Sequence, residues 1–479
     1  MTRTVRPLPV RLAGGTALLL LCAGCISVPP APDLDISEPA STEFRAPASG
    51  EPVSAEWWQS FSDPALAGLV ERALRASPAL RGADFSVAEA EALLRLAILE
   101  SGPTLSSRAG ASAGRQAGAA SSRIDASANA ALTAGWEFDL FGRLAASIEA
   151  ARLDTVAVRE LRRDIAVSIA SETALAYVNL RGAEARLDVA RRNVGAQEES
   201  LELVRSLFDN GRVTQLDLER AETQYRTTLA SLPVFEADRE AALSRLAALT
   251  GLPASAPGSL PEELLASPGE VPVLSAPIAA GTPEDLLRRR PDIRAAEARI
   301  GSALALGDVA RANLFPTLTL NAGVSGLLRN RGQAISGTTI GFDIGPAISW
   351  SGPDLRQVYA RIDASDARTG RLAADYENAV LNALAETETA LTDLLTEQRR
   401  TPELEAAVAA ARRAADLATL RYREGLDSYL GVLDAQRTLL DAEDRLALNR
   451  IETARRAIRA YRSLGGIWTD EELGAFRAG

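Results

Sequence analysis

Two hydrophobic periods take turns along this chain. Over residues 78–100 apolar side chains recur at helical spacing; the run opens on Pro78, where a missing N–H costs nothing, and stops at Pro103. The period then changes to two. Ile124, Ala126, Ala128, Ala130, Leu132, Ala134, Trp136, Phe138 and Leu140 alternate with Asp125, Ser127, Asn129, Thr133, Glu137 and Asp139, which predicts a strand of about 17 residues with one apolar and one polar face. Residues 104–117 predict a weaker partner strand of small residues, across a polar loop at 118–123. A very long helix follows, from 142 to about 210. Leu180, Leu187, Val194, Leu201 and Phe208 fall every seven residues along it, with Ala183, Ala190, Gln197 and Val204 three after the first four, a coiled-coil seam on a rod of about 100 Å. Gly211 breaks the rod, and a shorter helix, 214–249, returns.

The same order then repeats. Pro291 and Pro316 stand 213 residues after Pro78 and Pro103, while Trp350, Gly425 and Gly465 stand 214 after Trp136, Gly211 and Gly251. A helix over 291–313, alternating segments at 317–325 and 340–350 around a loop at 329–337, a long helix from 354 to 424 and a returning helix over 427–464 follow. The pattern divides the chain into repeats at 61–255 and 281–470, a linker at 256–280 and a tail at 471–479. In each repeat the two shorter helices together nearly equal the long one, so they fit end to end beside it. The predicted fold class is mainly α with a transmembrane β part: a coiled-coil α-barrel tunnel plus a β-barrel drawing four strands from each protomer. Four strands cannot close a barrel, for which about eight is the practical minimum, so the chain is expected to oligomerise.

The amino terminus adds an address. Arg3, Arg6 and Arg11 precede an apolar run at 12–22 that is too short to span a bilayer, so residues 1–24 read as a secretory signal. Leu21-Cys22-Ala23-Gly24-Cys25 resembles a bacterial lipobox, with Cys25 as the lipid attachment; Cys22 stands where that pattern prefers Leu. The alternative is an ordinary cleavage site with Cys25 incidental. Ile26, rather than Asp, after Cys25 favours the outer membrane by analogy with lipoprotein sorting. Residues 25–60, rich in Pro and Ser, read as an extended tether.

Composition narrows the chemistry. The 479 residues contain no His, two Cys and 52 basic residues, all of them Arg. Phosphate loops that need Lys, His-ligated metals and Ser/Cys–His catalysis are thereby excluded, which leaves carboxylate chemistry or none. Acids such as Glu386 and Glu388 lie in a long charged helix where nothing marks a catalytic pair, and no cofactor, metal site or enzymatic activity is expected. The formal charge of −11 becomes −14 once 1–24, with three Arg and no acid, is removed; it argues against nucleic acid. Hydrophobic residues make up 47 % but aromatics only 5 %, a helix-packing composition.

Several segments together resemble the TolC-like outer membrane factor family, specifically NodT-type efflux lipoproteins. They are Trp58-Gln59-Ser60-Phe61-Ser62-Asp63-Pro64, Gly135-Trp136-Glu137-Phe138-Asp139-Leu140-Phe141-Gly142-Arg143, Arg289-Arg290-Pro291-Asp292-Ile293, Arg421-Tyr422-Arg423-Glu424-Gly425 with Ser428-Tyr429-Leu430 and Val432-Leu433-Asp434-Ala435, and Leu464-Gly465-Gly466-Ile467-Trp468. The resemblance implies a homotrimer with a twelve-stranded barrel in outer membrane lipid and a periplasmic tunnel. It also implies docking of a membrane fusion (adaptor) protein, coupling to an inner-membrane resistance-nodulation-division pump, and passive export without catalysis. A type I protein-secretion duct and a periplasmic coiled-coil scaffold lipoprotein are the alternatives.

By the same resemblance the turns at Gly211 and Gly425 are periplasmic tips, where Gly211, Thr214, Asp217, Tyr422, Gly425 and Ser428 would meet the adaptor; the plain reading of both glycines is helix C-caps. Asp434 matches the later of two acids that ring the tunnel gate in related ducts, whereas Gly431 occupies the earlier position. A solvated helix face is the alternative for Asp434. Trp57 and Trp58 are expected to pack near the start of the helical region rather than in an interfacial belt, and 288–290 to be solvated and ion-paired arginines.

Overall fold

The computed structural model describes residues 28–32, 44, 54, 56–114, 125–253, 255–256, 260, 269–275, 277–331, 335–352 and 354–466. The signal segment, Cys25 and residues 467–479 lie outside them. After a 3-10 turn at Trp57–Phe61 come helices α1 (Pro64–Ala76) and α2 (Pro78–Glu100), strands β1 (Thr104–Gly114) and β2 (Asp125–Phe138), and helices α3 (Arg143–Asp209), α4 (Gln215–Leu229) and α5 (Leu232–Leu249). The second series is α6 (Pro283–Arg289), α7 (Pro291–Ala312), β3 (Thr317–Arg331), β4 (Ile335–Ser349), α8 (Arg356–Arg423) and α9 (Tyr429–Ser463). Two compact units result. One gathers Met1–Ile36, Ser86–Val158 and Ala296–Tyr376; the other gathers Ser37–Phe85, Arg159–Ala295 and Glu377–Gly479.

The first unit carries one antiparallel sheet in the order β1-β2-β3-β4, so the hairpin of one repeat is zipped to the hairpin of the other through β2 and β3. The strands run 11 to 15 residues, shorter than the 17 that alternation predicts. The alternation overruns because Asp139 leaves the ladder: its carboxylate accepts from the Ala145 N–H and Gly142 turns at φ +76°, which starts α3 and leaves Leu140 exposed. The predicted loop at 329–337 is likewise too long, since β3 continues to Arg331 and β4 begins at Ile335 across a register irregularity at Leu328/Asn330. Below the strands, Leu314, Val358 and Ile362 form a small core with Phe315 and Tyr359, and Phe141 stacks on Phe315 at 4.5 Å.

The second unit is helical, with a core built largely from alanine. The predicted seam is there: Leu180, Ala183, Leu187, Ala190, Gln197, Leu201 and Val204 on α3 are all buried. At Gly182 the approach is so close that a Cβ would lie 2.8 Å from the Ile451 side chain on α9. Trp57 and Trp58 are fully buried, Trp57 stacking on Tyr461 at 5.2 Å, so the pair belongs to helix packing and not to a membrane belt. Tyr177 donates to Asp63, Arg181 donates to Tyr177 and Glu184, and burial, foremost, pushes the Tyr177 hydroxyl up to about 12.

Repeat symmetry is visible where returning helices end. Gly251 and Gly465 both have positive φ, and a Cβ would meet Ala76 O at 2.8 Å in one case and Arg290 Cγ at 3.0 Å in the other. Ala76 and Arg290 are themselves 214 residues apart, so the same close approach has been kept twice. The symmetry fails along the returning helix. The single helix predicted over 214–249 is two, α4 and α5, because Pro233 at the start of α5 has no N–H for the preceding turn. Pro402, in contrast, sits inside an unbroken α8. Of the predicted charge run, Arg288 pairs with Glu284 on the surface, but Arg290 is a deep clamp: it donates to both oxygens of Asp292, to Glu386 and to the Ser463 carbonyl that ends α9.

Candidate channel wall and helical tip

The sheet has two chemically different faces. Register places Trp136 and Phe138 of β2 beside Leu320 and Leu318 of β3, and those beside Pro346 and Ile348 of β4; Ala134, Ala322 and Ile344 form the next rank, and Leu132, Val324 and Phe342 the one after. Leu105 joins through Ala134, and Phe342 is 87 % exposed. The opposite face bears Ser106, Arg108, Thr133, Glu137, Thr319, Asn321, Ser325 and Asp343. Ser106 and Thr133 share a hydrogen bond of 2.7 Å, Asn321 donates to Thr319, and Arg143 forks onto Glu137 at 3.0 and 2.7 Å. Asn321 and Asp343 lie over glycines: a Cβ on Gly135 or Gly323 would stand 3.3 or 2.7 Å from their side-chain oxygens. A wall so built presents hydrocarbon on one side and hydrogen-bonding groups on the other. β1 and β4 are its outer strands, each with one edge unpaired among the described residues.

The second unit carries the two Gly turns. At both, the chain ends its long helix in a Schellman arrangement. Gly211 (φ +69°) donates to Phe208 O and Arg212 to Leu207 O; Gly425 (φ +72°) donates to Tyr422 O and Leu426 to Arg421 O. The glycines therefore are C-caps, as their positive φ requires. The return differs between copies. Thr214 and Asp217 form a reciprocal capping box at the start of α4, whereas Ser428 starts α9 without a side-chain cap. The residue 214 after Asp217 is Gly431, which has no carboxylate to complete the box.

Behind the turns, Tyr422 and Tyr429 pack at 5.5 Å with Leu201, Val204, Ala221, Val432 and Leu433. Burial, then the neighbouring Tyr422, pushes the Tyr429 hydroxyl up to about 12, with Ser200 and Arg437 opposing. The Tyr422 hydroxyl is also raised, by burial first and Asp217 second, and meets no hydrogen-bond partner among the described residues. Thus Thr214, Asp217, Gly425 and Ser428 lie at the turns, while Tyr422 belongs mainly to the core that supports them. Leu216 and Leu430, one repeat apart and each in the first turn of a returning helix, are more than half exposed, and Leu426 beside them is 70 % exposed. Asp434 is exposed on α9 and its carboxylate makes no ion pair among the described residues. Cys25 lies outside the described residues.

Comparison with known proteins gives this arrangement a family. The sequence profile described as "Outer membrane efflux protein" matches residues 69–252 and 282–466. The pyoverdine export outer membrane protein OpmQ of Pseudomonas aeruginosa is 30 % identical over 471 residues, covering 96 % of this chain and 97 % of its own. Nodulation protein T of Rhizobium leguminosarum bv. trifolii is 29 % identical, with 89 % and 91 % covered. Toluene efflux pump outer membrane protein TtgI of Pseudomonas putida is 28 % identical, with 94 % and 97 % covered. Among solved structures, the outer-membrane channel OprN superposes with a TM-score of 0.81 at 35 % identity, covering 91 % of this chain and 98 % of its own. The chain belongs to the outer membrane efflux protein family, whose members are non-enzymatic ducts of the outer membrane.

Proposed function

We propose that three copies of the chain form the passive exit duct of a tripartite efflux system for small molecules. The observation that carries this reading is the two-faced sheet with open edges on β1 and β4. Unpaired N–H and C=O groups are untenable in hydrocarbon, and three sheets of four strands give twelve, enough to close a barrel with the polar face inward. Small-molecule cargo follows by analogy with relatives that export pyoverdine or toluene. Cys25 carries the acyl anchor. The exposed Leu216, Leu426 and Leu430 around Gly211 and Gly425 offer a membrane fusion protein an apolar landing at the turns, with a resistance-nodulation-division pump behind it. Asp434 contributes a ring of like charge to the tunnel mouth.

The test is reconstitution of the purified full chain. SDS-resistant, heat-dissociable trimers that conduct in planar bilayers are expected, together with incorporation of an alkynyl fatty acid that Cys25→Ala abolishes. A soluble, non-conducting monomer overturns the reading.

A further inference from the structure

Arg311 stands in the last turn of α7 and is 7 % exposed. Its Nη2 donates to both carboxylate oxygens of Asp366 on α8, at 2.7 and 2.9 Å. Pairing the helices would need no more than that. The same guanidinium also reaches the amino-terminal segment: Nε donates to the Pro29 carbonyl at 3.0 Å, and Nη2, shared with Asp366, lies 2.9 Å from the Pro30 carbonyl. Prolines have no N–H, so carbonyls are the only backbone groups this segment can offer, and a planar guanidinium matches two successive ones. One turn earlier on α7 stands Gly307, where a Cβ would lie 2.7 Å from Arg311 Nη1. The glycine leaves the space that the guanidinium fills. A buried charge, its counter-ion, a cleared space and a pre-extended Pro-Pro strand make a built seat.

We infer that Gly307, Arg311 and Asp366 form a seat that fixes the amino-terminal segment and so sets where the acyl chains of Cys25 enter the membrane. The inference rests on the lipidation of Cys25 proposed above. Pro29 follows Cys25 by four positions, a reach of at most about 14 Å. Arg311 in turn precedes Thr317, the first residue of β3, by six positions, so the acyl group is held near the end of the sheet at which β1 and β3 begin. The next buried residue among the described ones is Trp57, 32 positions from Cys25. A free chain of that length has a root-mean-square span of about 30 Å. The seat thus converts a long leash into a short one.

The experiment uses the full chain in phosphatidylethanolamine/phosphatidylglycerol vesicles, with nitroxides on Val28→Cys and Asp308→Cys and labelled copies diluted among unlabelled ones. Electron–electron distance measurement is expected to give one narrow peak. Arg311→Ala, and Arg311→Lys, which keeps the charge but not the fork, broaden it at least about two-fold, as a chain leashed only at Trp57 would. Gly307→Ala is the variant that keeps the fold, because alanine suits a helix interior and displaces only the flexible end of Arg311; it broadens the peak likewise. A peak that stays narrow in Arg311→Ala and Gly307→Ala, or is broad in the parent, overturns the seat. Native Cys25 takes up nitroxide only if it is not acylated. Label on Cys25 with a narrow, Arg311-dependent peak therefore overturns the anchoring role through failure of lipidation, a result distinct from failure of the seat.

Discussion

Trp350 donates its indole N–H to the carbonyl of Leu314 at 3.0 Å, and one repeat earlier Trp136 does the same to Ser101 at 3.3 Å. Both acceptors sit in the turn that leaves a helix for a strand. Each bond fastens the close of a hairpin to the point where that hairpin began, so the tryptophans hold strand and helix in one register. Trp350→Phe keeps the ring area but leaves the Leu314 carbonyl unpaired at a half-buried site, at a cost of about 1 kcal/mol. Trp136, 41 % exposed and more loosely bonded, matters less. Differential scanning of the detergent-solubilised protein is expected to show a lower melting temperature for Trp350→Phe than for Trp136→Phe. Equal values would remove the distinction.

Leu216 and Leu430 are the exposed apolar pair at the turns, and neither belongs to the tyrosine core behind them. Leu216→Asp combined with Leu430→Asp is expected to abolish capture by a purified membrane fusion protein of a resistance-nodulation-division pump, while trimer stability and conductance stay at parental values. Interferometry on immobilised trimers measures the first, planar bilayers the second. Undiminished capture places the docking surface elsewhere.

Asp434 is exposed on α9, and its carboxylate makes no ion pair among the described residues. If three copies converge on one axis, replacing it relieves both repulsion and cation trapping at the constriction. Asp434→Ala is expected to raise single-channel conductance, and Gly431→Asp, which adds a second acid one turn away, to lower it. A conductance unchanged by Asp434→Ala assigns the residue to a solvated helix face.

Asp164 gives a stability signature that depends on pH. Burial, first, and the nearby Asp292 hold its carboxyl above the ordinary range; Glu386 adds to this, while Arg462 and Arg290 oppose. The folded state thus binds the proton more tightly than the unfolded one. The group's contribution is fully present below the ordinary carboxylate pKa of about 3.9 and is lost as pH rises through the elevated value. Asp164→Asn removes that loss. Its melting temperature should exceed the parental one at about pH 7 and converge with it toward about pH 3; a gap constant across that range would show that ionisation plays no part.

Much of the architecture is legible because local chemistry dictates it. Pro78 and Pro291 open helices, and Gly211 and Gly425 close them with positive φ. Alternation over β2 correctly separates its two faces. Three features escape such reading, each for a non-local reason. The pairing of β2 with β3 joins residues up to 206 apart, such as Asp125 and Arg331, and nothing in either strand's own pattern names its partner. Pro233 stands at a helix boundary while Pro402 lies inside α8, beside Thr401 and Glu397, whose side chains bond to Asn449, 48 and 52 residues further on. Among the three consecutive arginines at 288–290, only Arg290 meets Ser463, 173 residues away, and composition treats all three alike. The turn residues were readable as caps. That Tyr422 and Tyr429 would be buried beneath them, while Leu216 and Leu430 stayed exposed, depends on which side of each helix meets α3.

A single copy carries two strand edges, on β1 and β4, that hydrocarbon cannot satisfy. On the trimeric reading no copy enters the bilayer ahead of its neighbours, so barrel closure and membrane insertion are one event. Gene dosage then acts cooperatively. A cell expressing equal amounts of intact chain and of a chain whose β1 edge is blocked would mix them at random, and only about one trimer in eight would be wholly intact. Such an allele would behave as dominant in a haploid cell carrying it on a plasmid, silencing most channels while leaving half the chains untouched.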